Sequence, residues 1–278
     1  MKTAKIRVKR FFNQISKTIH RPDMKLLPGH LSFFLVLAII PTMTLVSFLT
    51  TRLNLSLDFI YKFIEKAFSS NMANLILSTA DGNNEGVKLM IVVFFSYFIA
   101  SNGMDAVIVT SNRVYGIENK NFIKRKPKSI LMSLIFIILI IFMIIVPIFG
   151  ERIVSLISKV NLNSNVTNNI RLIFNFLKNP FMIVLLFFFI KIIYMIAPDR
   201  KLSSKYTNYG ALFTTISWTL ITIMYSYYIN NIADYSALYG GLTSICILMI
   251  WFYLLSYIFV IGISLNYEKE REDLSNNI

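Results

Sequence analysis

The sequence predicts an all-α, polytopic membrane helix bundle with six transmembrane helices and both termini in the cytoplasm. Three observations carry this. First, 55% of the 278 residues are hydrophobic and only 15% are charged, where a soluble domain carries about 25% charged residues. Second, apolar runs with little or no charge recur along the chain, and crossing about 30 Å of hydrocarbon at 1.5 Å per residue takes about 20 residues. Third, basic residues crowd into alternate connections, which sets orientation. The runs are continuous rather than alternating, which selects helices over a barrel, the other structure that satisfies its backbone in lipid.

Residues 1–30 form a basic segment holding Lys2, Lys5, Arg7, Lys9, Arg10, Lys17, Arg21 and Lys25. No small-residue cleavage site follows the first apolar run, so a cleaved signal peptide is not expected. Span one is Leu31–Thr50, and Pro41 should kink or break it. In the long connection 51–87, "LDFIYKFIEKAF" puts Leu57, Ile60, Ile64 and Phe68 on one helical face. Span two is Lys88–Val109, followed by a basic loop. Span three is Ile130–Gly150. In the second long connection, 151–179, "NNIRLIFNFLKN" repeats the one-faced pattern with Ile170, Ile173, Phe174 and Leu177. Both connections read as amphipathic helices on the outer leaflet, or as lids packed on the bundle. Spans four, five and six are Pro180–Ala197, Tyr209–Ile229 and Leu242–Leu265, and 267–278 is a tail. The lone cysteine, Cys246, excludes a disulfide within the chain.

On this topology 19 Lys and Arg lie on the side of the termini and 7 on the other, with Lys88 and Lys191 inside spans. The positive-inside rule makes the richer side cytoplasmic. The formal charge of +14 then reflects topology and anionic head groups, and no nucleic-acid partner is expected. The expected partners are membrane lipids.

Three stretches together carry a resemblance: "HLSFFLVLAIIP"; "ASNGMDAVIVTSNRVYGIENKNFIKRKPKSI"; and "APDRKLSSKYTNYGALFTTISW" with "YSALYGGLTSICILMIWFYLLSYIFVIGISLN". In order and spacing they resemble the YihY/BrkB family of bacterial inner-membrane proteins, from about His20 to Asn266. The resemblance implies a six-span protein of the cytoplasmic membrane. It also implies links to serum resistance and to transport of lipid or envelope precursors. The family's old "ribonuclease BN" label is regarded as a misassignment. Matching positions are Ser101, Gly103, Asn112, Tyr115, Pro198, Arg200, Gly210, Ala211, Trp218, Tyr239, Gly240, Trp251, Gly262 and Asn266. Two positions depart from the pattern the resemblance implies: Asp105 where many relatives are expected to carry Asn, and Ser264 where the family commonly has Glu. The second puts a shared proton-driven mechanism in doubt.

The residues themselves give no enzyme signature. His20 and His30 stand alone near span one, with no paired-ligand spacing and no Gly-rich phosphate loop nearby. No catalytic residue, metal or cofactor is expected. Ionisable groups inside spans are default functional candidates. Asn102, Asp105 and Asn112 lie at helical spacing on span two, with Arg113 just beyond. They read as a pathway lining or as groups pinning neighbouring helices. Ser96, Ala100 and Gly103 form a small-residue packing face, and Gly262 is a packing candidate on span six. Lys191 matches Asp105 in depth, and either pairs with it or snorkels. Arg200 and Asn266 complete the pathway candidates with Tyr239-Gly240, read as a tight outer hairpin or a flexible gate. The expected function is transport of an amphiphilic envelope or lipid-like substrate; the alternative is a non-transporting scaffold. The sequence names no substrate, energy source or oligomeric state.

Overall fold

The computed structural model describes residues 13–52, 61, 86–159, 164–231 and 243–275. Among these the regular structure is helical. A short helix over 13–19 and a 3-10 turn at Pro22–Lys25 precede α1 (Leu27–Arg52). Then come α2 (Gly86–Val114), α3 (Phe122–Lys159), α4 (Ser164–Ile196), α5 (Ser204–Asn231) and α6 (Thr243–Ser275).

Each helix packs on the next in sequence, and α6 packs back on α1, so the six close into a ring. Successive helices alternate in direction. The start of α1 therefore meets the end of α2, the start of α3 meets the ends of α2 and α4, and the start of α5 meets the end of α6. The main core lies toward this shared end, around Leu31, Ile108, Ile190, Ala211 and Ile263. A smaller core joins α1, α2 and α3 further along, around Val46 and Ile137.

Four helical stretches are long and apolar enough to cross a membrane: Pro22–Thr50, Val93–Val114, Phe122–Met143 and Ile245–Ser275. Pro180–Ile196 in α4 is a shorter apolar stretch. α5 is interrupted by hydroxyls, some of which turn back on the helix: Thr215 donates to the Ala211 carbonyl and Thr219 to that of Thr215. Its outward stripe of Leu212, Ile216, Leu220 and Ile223 is apolar and exposed.

Several boundaries depart from expectation. α1 runs through Pro41 unbroken. The amphipathic stretch "NNIRLIFNFLKN", expected on the outer leaflet or as a lid, is instead the start of α4, which continues through Pro180. A membrane helix tolerates a proline in its interior. The amphipathic helix expected around Leu57–Phe68 lies, apart from Tyr61, outside the described residues. α3 begins at Phe122, so the basic run 124–128 is helix, not loop. α6 passes through 266 and ends at Ser275, so the expected tail is mostly part of that helix.

Gly116 ends α2. Its φ of 67° is left-handed, a conformation glycine adopts without a Cβ penalty. The Ile117 amide then reaches back to the Asn112 carbonyl at 2.8 Å, closing the helix end in a Schellman turn and sending the chain back toward α3.

Candidate functional site

The polar residues of α2 meet the first turns of α3. Asp105, 9% exposed, accepts two bonds from Arg125: Nε to Oδ1 at 2.6 Å and Nη2 to Oδ2 at 2.8 Å. This is the bidentate geometry in which guanidinium and carboxylate bind best. Arg125 also donates to the Lys120 carbonyl at 2.7 Å. One turn back along α2, Asn102 accepts from Lys126 Nζ at 2.7 Å. The buried Lys126 also donates to the Phe98 carbonyl and sits 3.9 Å from the Phe98 ring centre. So the partner of Asp105 is neither Lys191 nor its own amide stripe. Lys191 is half-buried on α4 and makes no hydrogen bond or ion pair with another described residue.

A second node joins three helix ends. Asn112 is fully buried. Its amide donates to Asn119 Oδ1 and Asp199 Oδ2, and its carbonyl oxygen accepts the Asp199 backbone N–H at 2.8 Å. Lys128 Nζ donates to Asp199 Oδ1 at 2.7 Å and to the carbonyls of Ala197 and Pro198. These last carbonyls follow the end of α4, where a cation complements orphan acceptors. Burial works against ionisation of Asp199, but the bonds from Lys128 and Asn112 outweigh it and hold the carboxyl below its usual value.

The acidic end of α6 collects polar and basic side chains, most of them from other parts of the chain. Arg21 pairs with Glu268 and Arg200 with Glu270. Lys205 and Lys269 both reach Asp273, and Gln14 reaches Glu272. Arg200 lies 4.5 Å over the Tyr115 ring, a cation–π contact, and Tyr115 meets Tyr267 edge-on. Burial, reinforced by Glu270, pushes the Tyr115 hydroxyl above its ordinary pKa. Arg113 is exposed and pairs with Asp23 at 3.2 Å. Exposed pairs of this kind contribute little individually.

Helices α4, α5 and α6 cross through two glycines. A Cβ on Gly210 would stand 2.0 Å from the Gly262 carbonyl oxygen, and one on Gly262 would stand 2.1 Å from Thr214 Oγ1. The closeness lets the Gly210 amide donate to Asn266 Oδ1 at 2.6 Å. It also lets Tyr194 Oη reach Thr214 at 2.6 Å and donate to the Phe259 carbonyl at 2.9 Å. On the α1–α2 contact, a Cβ on Gly103 would meet Ala38 Cβ at 2.9 Å. Ala100 is buried on the same helix and Ser96 is half-buried. Tyr239 and Gly240 lie outside the described residues.

Inside the ring lies a cavity of about 170 Å³ between α1, α2, α3 and α6, walled by Ala38, Ala100, Gly103, Phe136, Trp251 and Phe252 among others. Its lining is overwhelmingly apolar. None of Asn102, Asp105, Asn112, Lys191, Arg200 or Asn266 lines it. Among the described residues no cluster of three or more His, Cys, Asp or Glu is placed to hold a metal. His20 Nδ1 lies against its own Ser16 carbonyl, and His30 packs on Phe34.

Sequence reading singled out Asn102, Asp105 and Asn112, but missed their partners Lys126, Arg125 and Asp199, the last held by Lys128. The missed signal was the close spacing of Arg125, Lys126 and Lys128, which suits the opening of a helix as well as a loop.

Comparison with known proteins agrees with this architecture. The profile of the virulence factor BrkB family matches residues 15–277. A ribonuclease-like protein of Bacillus subtilis, YfkH, is 30% identical over 253 residues, covering 90% of each chain. A UPF0761 membrane protein of Idiomarina loihiensis is 34% identical over 92 residues, 33% of this chain and 32% of its own. No solved structure matches the chain. A ring of apolar helices locked at one end, matched over nearly its whole length by this profile, places the chain in the virulence factor BrkB family of multi-pass membrane proteins.

Proposed function

We propose that this protein is a six-span, transport-type protein of the bacterial cytoplasmic membrane that moves an amphiphilic, lipid-like envelope substrate, with both termini in the cytoplasm. The observation that carries the reading is the apolar cavity inside a closed helical ring. The polar groups of α2 are engaged in bonds between elements, which argues against an ion path along them. Hydrocarbon matches the cavity lining.

Four helices qualify as spans by length and composition. The reading of α4 and α5 as the remaining two spans is supported by their packing along their neighbours in the ring. α5 also turns hydroxyls onto its own carbonyls and an apolar stripe outward. The charged helix ends share one end of the ring, and the excess of Lys and Arg assigns that end to the cytoplasm. The tight polar lock equally favours a static scaffold, so movement must be measured. Reconstitution into liposomes with fluorescent phospholipid, scored for exchange between leaflets, separates the two. Exchange above protein-free vesicles supports transport; its absence across envelope lipids supports the scaffold.

The name of the Bacillus relative raises nuclease chemistry. We propose none here, because neither histidine is paired with a group that acid–base or metal-assisted cleavage needs. RNA cleavage that copurifies with the protein and vanishes on one point substitution would overturn this.

A further inference from the structure

We propose that the junction between α3 and α4 is a lateral gate in the ring, closed by the Phe136–Phe189 ring pair and latched by the bonds from Lys128 to the segment after α4. The gate rests on the transport reading. It adds the route between the interior and the surrounding lipid, and the bonds that control it.

In a bilayer, lipid tails replace apolar side chains at little cost, so helices stay together through close packing and hydrogen bonds. The other junctions have one or both. α2 is tied to α3 by Asp105–Arg125, by Asn102–Lys126 and by Tyr97 Oη, which donates to the Ile130 carbonyl at 2.6 Å. α4 is tied to α5 by the buried Tyr194–Thr214 bond. α5 is tied to α6 along its length, from Gly210–Asn266 through Trp218 to Tyr225, which donates to the Ile247 carbonyl at 2.6 Å. α1 packs extensively on α2 and α6, with Ala38 close against Gly103. Along the described residues, α3 and α4 pack the most sparsely of all neighbours in the ring. Among those residues, the hydrogen bonds across this junction all come from Lys128. They land beyond the end of α4, on the carbonyls of Ala197 and Pro198 and on the Asp199 carboxylate.

Deeper in, a ring contact closes the junction. Phe136 and Phe189 meet at 5.4 Å between centroids, tilted by 53°. Phe136 walls both the cavity of about 170 Å³ and an adjoining one of about 60 Å³, and Phe189 walls the second. Nearby on the same helices, Ile138 and Phe188 are about half exposed. Parting the two rings joins the interior to the surrounding lipid and breaks no hydrogen bond. Lys128 stands at the locked end, its side chain 27% exposed against 8% for Asp199. Water reaches it, so its bonds can be exchanged for hydration as the helices part. Asp199 keeps its bond from Asn112 when Lys128 leaves, so opening does not strand the carboxylate.

The test uses the full chain in nanodiscs, with Cys246→Ser as background. Spin labels on Ile138→Cys and Phe188→Cys report the α3–α4 distance, and labels on Leu220→Cys and Met249→Cys the α5–α6 distance. The first pair should show a second, longer population; the second pair should show one. Lys128→Met should enlarge the longer population about two- to ten-fold, the net worth of one hydrogen bond. Lys128→Arg, which can still donate, should enlarge it less. A single distance for the first pair, in wild type and Lys128→Met alike, overturns the proposal. So does equal widening at both junctions. A second arm, in liposomes, bridges Phe136→Cys to Phe189→Cys with a short bifunctional thiol reagent. Bridging should cut leaflet exchange of fluorescent phospholipid at least about five-fold, as for a gate that limits turnover. Bridging Tyr225→Cys to Ile247→Cys, across α5 and α6, should leave exchange unchanged. Exchange that survives bridging of 136 to 189 overturns the gate and leaves transport standing. A longer α3–α4 population without any leaflet exchange upholds the opening and defeats the transport reading.

Discussion

Replacing Asp105 by Asn removes one charge from a pair whose side chains are each 12% exposed and joined at 2.6 and 2.8 Å. A hydrogen bond to a charged group contributes about 1.5–3 kcal/mol, and breaking a buried ion pair from one side costs about 3–5 kcal/mol. Asn keeps one acceptor oxygen, and Arg125 keeps its bond to the Lys120 carbonyl, which together bring the expected loss to about 2–3 kcal/mol. Asp105→Asn with Arg125→Met leaves no orphaned charge and should recover most of that loss. Asp105→Asn with Lys191→Met should simply add the two single effects, because Lys191 is not the partner. The assay is a double-mutant cycle on reversible unfolding in mixed micelles. A coupling energy below about 0.5 kcal/mol between 105 and 125, or rescue by Lys191→Met, would refute the assignment.

Gly210→Ala and Gly262→Ala should each prevent native packing or lower the melting temperature sharply, since the added carbon would meet backbone oxygen or hydroxyl within about 2 Å. Gly103→Leu should cost about 1–3 kcal/mol by overpacking, while Gly29→Leu, with nothing within 4 Å of its Cβ, should cost less; equal thermal stability would contradict this. The folded carboxyl of Asp199 titrates below its ordinary 3.8, so its stabilisation is present above that value and is lost as pH falls through the folded pKa. Below about pH 4 the wild type should therefore lose stability faster than Asp199→Asn, read from melting temperature against pH. Cysteine placed at the exposed Glu118 should react with impermeant reagent from the cytoplasmic side, whereas at Lys126, 7% exposed, it should react slowly from either side.

Hydropathy made the membrane class and helical architecture legible, because an uncharged run of about twenty residues has few other uses. The close approach at Gly262 and the burial of Asp105 were also readable from residue type and position. Partnership was not. Arg125, Lys126 and Lys128 counted toward orientation as loop charges, and the positive-inside rule is indifferent to whether a basic residue is helical. In the fold they lie within one turn of α3, which points them in different directions, to Asp105, Asn102 and Asp199. Matching depth suggested Lys191 for Asp105, but depth in a bilayer does not say which helices are neighbours. α2 lies beside α1 and α3, while α4 is reached mainly through α3 and α5. The long connection before α4 misled for a different reason: an amphipathic pattern does not distinguish a helix on the surface from the first turns of a spanning one.

The central claim is that the ring moves lipid through its apolar interior. The most direct measurement compares leaflet exchange of a fluorescent phospholipid in liposomes holding wild type, Ala100→Trp or Leu37→Trp at matched, folded amounts. The account predicts exchange by wild type and Leu37→Trp, and loss of most of it in Ala100→Trp. Exchange that is absent in wild type, or undiminished when the cavity is filled, would contradict it.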